Sequence, residues 1–171
     1  MKEKITFDPT RLMEQAIEVM KASVPEQRAD DTITPKVGAV LWKRDGTTVS
    51  ACRGELREGD HAEYTIIERK NGHEKLGDCA LFATLEPCAP DSRNPPKIGC
   101  ARRITNARIK KVYYGCQDPH PKVAGEGLRY LKQIRSPSSN SSRSPHPWSA
   151  AIRVSMRFSA PWNLRRSGAW A

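Results

Sequence analysis

Four side chains set the terms of the chain: His61 and Glu63, two positions apart, and the thiols of Cys88 and Cys100. One imidazole and two thiolates are nitrogen and sulfur donors that zinc accepts, and three protein ligands leave the fourth tetrahedral position open, as in catalytic sites. Water held at such a position loses its proton near neutral pH. A carboxylate two residues from the imidazole can take that proton and return it, first to a ring nitrogen and then to a departing amine. His61, Cys88 and Cys100 are therefore candidate zinc ligands and Glu63 the candidate catalytic group, for hydrolytic removal of an amino group from a heterocycle. Two other readings stay open on the residues alone. Cys79 or Cys116 could complete a closed Cys3His structural site, or all the thiols could be buried without a metal.

Several elements must position these groups. Asp8-Pro9, followed by Leu12, Met13, Ala16, Ile17, Val19 and Met20, combines a capping residue, a first-turn proline and an apolar stripe, which predicts an amphipathic helix ending before Pro25. The apolar run 37–42 and the β-rich run 47–52 flank Asp45-Gly46 and predict a hairpin, with Cys52 as a buried structural thiol. His61 and Glu63 open a helix over 61–70, whose first turn faces a site where free amides and the dipole favour an anion. The run 79–85 predicts a third strand, which Pro87 stops, so Cys88 falls where the chain leaves the sheet. Cys100 starts a helix carrying Ile104 and Ala107, residues 111–115 form a fourth strand, and a further helix covers 126–134.

The length of 171 residues suits one domain with a real core. There is no apolar run near the roughly 20 residues needed to cross a bilayer, and no hydrophobic segment follows the charged start, so no membrane association and a cytoplasmic location are expected. Five cysteines without a secretory signal fit reduced thiols and metal ligation better than a disulfide framework. The net charge of +10 is uneven: six arginines and no acidic residue lie from Arg135 onward, leaving 23 basic against 19 acidic residues before that point. Composition also changes there, with ten serines and three of the four tryptophans in 135–171. The expected division is a catalytic domain over 1–134 and a Ser/Arg/Trp-rich tail over 135–171, linker-like or an extension outside the evolved fold. Its alternating piece 151–158 is the alternative: a last edge strand.

The His-Ala-Glu and Pro-Cys…Cys patterns resemble the cytidine deaminase superfamily. Val37-Gly38-Ala39-Val40, Thr84-Leu85-Glu86-Pro87-Cys88, Pro95-Pro96 before Cys100, and the run from Asp118 to Leu128 resemble more closely the deaminase half of the bacterial riboflavin-biosynthesis deaminase/reductases, across roughly residues 10–133. The resemblance implies an α/β fold, a three-layer α/β/α sandwich with a mixed four- or five-stranded sheet. It implies Zn2+ held by His61, Cys88 and Cys100, Glu63 as proton shuttle, and a small-molecule diaminopyrimidine nucleotide as substrate. It also implies a homodimer or higher homo-oligomer. Arg93 falls where that family keeps a basic residue, and Thr34 where it has an asparagine holding the pyrimidine, which makes both substrate-binding candidates. The loop between Cys88 and Cys100 is about three residues longer than in that family, Lys97-Ile98-Gly99 being the apparent insertion, and Pro90-Asp91 replace its histidine. Deamination of another base or nucleoside, of tRNA or single-stranded DNA through the basic, Trp-bearing tail, and a non-catalytic zinc module are the alternatives.

Overall fold

The computed structural model describes residues 6–27, 33–119, 123–134 and the backbone of 153–155. Helix α1 (Pro9–Met20) starts as its sequence dictates: the Asp8 carboxylate accepts hydrogen bonds from the amides of Thr10 at 2.9 Å and Arg11 at 3.5 Å, with Pro9 at the first helical position. Its stripe of Leu12, Met13, Ala16 and Met20 is buried. Strands β1 (Gly38–Trp42) and β2 (Thr48–Cys52) pair antiparallel across a turn in which Gly46 takes φ 88°, a conformation that favours glycine. On its other side β1 pairs antiparallel with β3 (Ala80–Leu85), which pairs parallel with β4 (Lys111–Cys116).

A fifth strand, β5 (Arg153–Ser155), lies parallel to β4 with Val154 opposite Val112, giving the order β2-β1-β3-β4-β5. Three residues of the alternating piece thus sit at the sheet edge, while the rest of 135–171 falls outside the described residues.

Alternation along the strands sends side chains to two layers of helices. Val40, Trp42, Ala80 and Phe82 face α1, and Phe82 stacks on Tyr113 with ring centroids 4.5 Å apart. Ala39, Leu41, Leu81, Ala83 and Val112 face the opposite way, against Ala62, Ile66, Ala101, Ile104 and Leu131. The architecture is the expected three-layer α/β/α sandwich with a mixed sheet. Those last residues belong to α2 (Ala62–Tyr64) with its continuation, α3 (Cys100–Asn106) and α4 (Glu126–Gln133).

One element differs from expectation. The single α-helix predicted over 61–70 is α-helical only through Tyr64 and then π-helical over Thr65–Lys70. Asn71 is buried at the end of this segment, and its side-chain amide donates to the Ile66 carbonyl at 2.7 Å, reaching back five residues as the π ladder does.

Candidate metal centre and active site

Each of the four chemical groups stands at the end of an element, where the backbone turns away from the sheet. His61 is the residue before α2, with extended φ and ψ of −73° and 151°, and Glu63 lies in the first turn. Cys88 follows the end of β3 and Cys100 opens α3. The two cysteine segments are bound to each other: the Cys100 amide donates to Cys88 Sγ at 3.1 Å and the Ala101 amide to the Cys88 carbonyl at 3.0 Å. Gly99 makes this approach possible, because a Cβ there would lie 1.8 Å from the Ala89 carbonyl oxygen. The loop between the two cysteines therefore folds back on its own start, with the Gly99 amide donating to the Pro90 carbonyl at 2.8 Å.

His61 Nδ1 lies 3.6 Å from Cys88 Sγ and 3.4 Å from Cys100 Sγ, and the three donor atoms all fall within 4.8 Å of one another. Zinc–sulfur bonds of about 2.3 Å and zinc–nitrogen bonds of about 2.0–2.1 Å meeting at the tetrahedral angle put nitrogen and sulfur about 3.5 Å apart. The donor set and its spacing fit zinc. Cys79 and Cys116 do not join this cluster, so among the described residues the closed four-ligand alternative finds no support.

The electrostatics follow from burial. The hydrogen bond from Cys100 outweighs desolvation and, with the one from His61, draws the Cys88 thiol down to about 3. Cys100, which keeps the proton in that bond and is buried, is held well above the ordinary thiol value. Glu63 is 3 % exposed. Burial raises its carboxyl above the usual range, opposed by His61 and reinforced by Cys88. A carboxyl so placed retains a proton more readily than an exposed one, as an acid–base group near neutral pH requires.

A cleft opens beside His61 and Cys100. Arg93, a substrate-binding candidate by resemblance, lines it, and its guanidinium donates to the Gly59 carbonyl at 3.0 Å. Thr34 is placed differently. It is buried, its hydroxyl accepts from the Glu26 amide at 2.8 Å, and it is not among the residues that line the cleft. Lys97, in the loop between the cysteines that the sequence singled out, lines the cleft too, and four further lining residues had no role from the sequence: Arg57, Asp60, Tyr64 and Arg103. Asp60 and Tyr64 adjoin the His-Ala-Glu motif and Arg103 lies one helical turn after Cys100, so neighbourhood to the motifs was the available signal. Arg57 offered none.

Arg103 is paired with Glu68 at 2.6 Å and lies over the Tyr64 ring at 4.5 Å. Arg57, Arg93 and Lys97 have no carboxylate partner among the described residues.

Comparison with known proteins agrees with this geometry. Residues 8–116 match the cytidine and deoxycytidylate deaminase zinc-binding region. The chain is 37% identical over 99 residues to the riboflavin biosynthesis protein RibD of Actinobacillus pleuropneumoniae, covering 58% of this chain and 25% of that protein. It thus spans about a quarter of the length of such relatives. It is also 33% identical over 119 residues to the tRNA-specific adenosine deaminase of Agrobacterium fabrum, covering 66% of this chain and 72% of that one. Among solved structures, Acinetobacter baumannii RibD superposes with a TM-score of 0.60 at 27% identity, covering 85% of this chain and 34% of the other. The match to the zinc-binding region takes in every residue from the start of α1 to the end of β4, including the whole His61, Glu63, Cys88 and Cys100 constellation, and by it the chain belongs to the cytidine and deoxycytidylate deaminase family.

Proposed function

We propose that the chain is a zinc-dependent hydrolytic deaminase of an amino-pyrimidine nucleotide, of the diaminopyrimidine type used in riboflavin biosynthesis, with residues 1–134 as its catalytic domain. The observation that carries this reading is the buried Glu63 carboxyl beside a His61, Cys88 and Cys100 donor set that fits zinc. His61 Nδ1 and the two sulfurs would hold the metal, which when bound supplies a Lewis acid and a nucleophile at neutral pH. Glu63 would take the proton of the attacking water and deliver it to the ring nitrogen as the carbon–oxygen bond forms, then take the proton of the added hydroxyl, which becomes the oxo group, and deliver it to the amino group as the carbon–nitrogen bond breaks. Water and the amino-heterocycle are consumed, and ammonia and the oxo-heterocycle are released.

The cations Arg57, Arg93 and Lys97 around the cleft, which have no carboxylate partner among the described residues, favour a substrate with an anionic substituent such as a phosphate over a neutral base. Thr34 is kept as a secondary candidate for substrate contact. By the family reading the active form is a homodimer or higher oligomer, which sedimentation of the purified chain tests.

The deciding experiment pairs a zinc measurement with an ammonia-release screen of diaminopyrimidine nucleotides, common nucleotides and free bases. One zinc per chain with turnover of the phosphorylated pyrimidine is the expected result. The similarity to a tRNA-specific adenosine deaminase supports a second reading, deamination within RNA. Inosine formation in a tRNA substrate, with no ammonia from any nucleotide, would favour it.

A further inference from the structure

Glu86 belongs to the Thr84-Leu85-Glu86-Pro87-Cys88 run but touches neither the cleft nor the donor atoms, and no role in the chemistry falls to it. Its surroundings are unusual for a carboxylate. It is 4 % exposed, and among the described residues no lysine or arginine pairs with it. Both of its oxygens instead accept from one backbone amide, that of Gly125, at 2.8 and 3.0 Å, and the Asp118 backbone bonds to it as well. A buried carboxylate held only by amides is a costly way to join two segments. A fold needing simple cohesion here would do as well with an apolar residue.

The join has a particular target. The Glu86 amide itself donates to the Cys116 carbonyl at 2.9 Å, so the residue is anchored at the end of the β3–β4 ladder. From there the carboxylate holds Gly125, the residue before α4, which takes φ 78°. Two residues on, Gly127 lies so close to the next peptide that a Cβ would stand 1.7 Å from the Pro87 carbonyl oxygen and 3.3 Å from the Cys88 carbonyl carbon. The peptide that carries Cys88 is thus backed by α4, while α3 grips it from the front through the two amide bonds at Cys88 Sγ and O. The Cys88 backbone is thus held on both sides.

We infer that Glu86 is a positioning residue for the metal centre: by fastening α4 against the Pro87-Cys88 peptide it fixes the location from which Cys88 binds zinc. The inference rests on the zinc reading given above.

The test uses the full chain and measures zinc affinity by competition with a chelator, at a temperature where each variant is folded. Visible absorption of the cobalt-substituted protein reports thiolate geometry independently of turnover. Glu86→Ala should bind zinc about 10–100-fold more weakly, the usual range for loss of a supporting contact behind a metal ligand. Glu86→Gln, whose amide oxygen can still accept from Gly125, should fall between that variant and the parent and remain folded if Glu86→Ala is not. Gly127→Ala should reproduce the loss without altering any carboxylate, because it disturbs the same peptide from the other side. Phe82→Val, which destabilises the opposite face of the sheet, should lower Tm and leave zinc affinity unchanged. The inference is overturned if Glu86→Gln and Gly127→Ala lose thermal stability yet keep the parental zinc affinity and cobalt spectrum. A parent chain that binds no zinc would instead overturn the zinc reading, and this inference with it.

Discussion

The floor and the mouth of the cleft are built on opposite plans. At the floor, Glu63 and Cys100 are buried, Cys88 Sγ accepts a hydrogen bond from the Cys100 amide, and segments from three elements hold them in place. At the mouth, Arg57 and Lys97 are exposed on loops and have no carboxylate partner among the described residues. Under the proposed function the contrast is a division of labour. Proton transfer and metal ligation tolerate little positional error, so those groups sit where packing over-determines them. Attraction of a charged substituent acts over several ångströms through solvent and needs no such precision.

The sharpest way to break this contrast is at the floor. Cys100→Ala removes a proposed zinc ligand and the thiol hydrogen-bonded to Cys88, and should abolish both stoichiometric zinc, measured by elemental analysis, and ammonia release. Glu63→Gln should keep zinc yet lose about 10²–10⁴-fold in kcat, the range for removal of an acid–base group. Retained turnover in that variant would rule out the proposed proton path.

At the mouth the effect is smaller and of another kind. Joint replacement of Arg57 and Lys97 by alanine should raise KM for a phosphorylated substrate about tenfold, with kcat nearly unchanged and the difference shrinking at high salt. An equal loss for an unphosphorylated base would show that the cations act on something other than a substrate anion.

The smallest effect concerns Cys116, a half-buried thiol outside the cluster. Burial, with Asp118 and Glu86 adding to it, pushes this thiol up to about 11 from 9.0. The folded chain therefore keeps this proton longer than the unfolded one. The associated stability is complete below pH 9.0 and is lost as pH rises through about 11. Cys116→Ala should flatten the alkaline fall of the urea midpoint over that interval, while leaving zinc content as in the parent.

Much of the floor was legible in the sequence because its signals are local. A capping aspartate with a following proline, an Asp-Gly between two β-rich runs, and a proline closing a buried strand each have one dominant structural meaning. The ligand cluster could be named because few chemistries use an imidazole, two thiols and a neighbouring carboxylate. What could not be read depends on how distant segments meet. Arg57 joins the cleft because the loop after β2 lies beside the one that follows Cys88, where Arg93 reaches the Gly59 carbonyl, and nothing near Arg57 announces this. Thr34 was chosen by position in a motif, yet its hydroxyl serves the Glu26 backbone. Glu86 was visible as a letter in a motif, while its function lies in a contact with a glycine far along the chain. The three-residue β5 rests on an alternating pattern that the sequence offered only as an alternative to a detached tail.

The π-helical run Thr65–Lys70 also has a bearing on how this chain is lined up with its relatives. A π turn holds more residues than an α turn over a comparable rise, so it absorbs an extra residue without moving either flank. His61 and Glu63 at one end and the buried Asn71 at the other can therefore keep their separate phases, although an unbroken α-helix of the same residues would rotate one against the other. When this segment is compared with a regular α-helix, the one-residue gap belongs inside 65–70 and not in the adjoining loops. Deleting a residue there changes which face each isoleucine presents, so the segment is a frame-setting element of the fold as well as a connector.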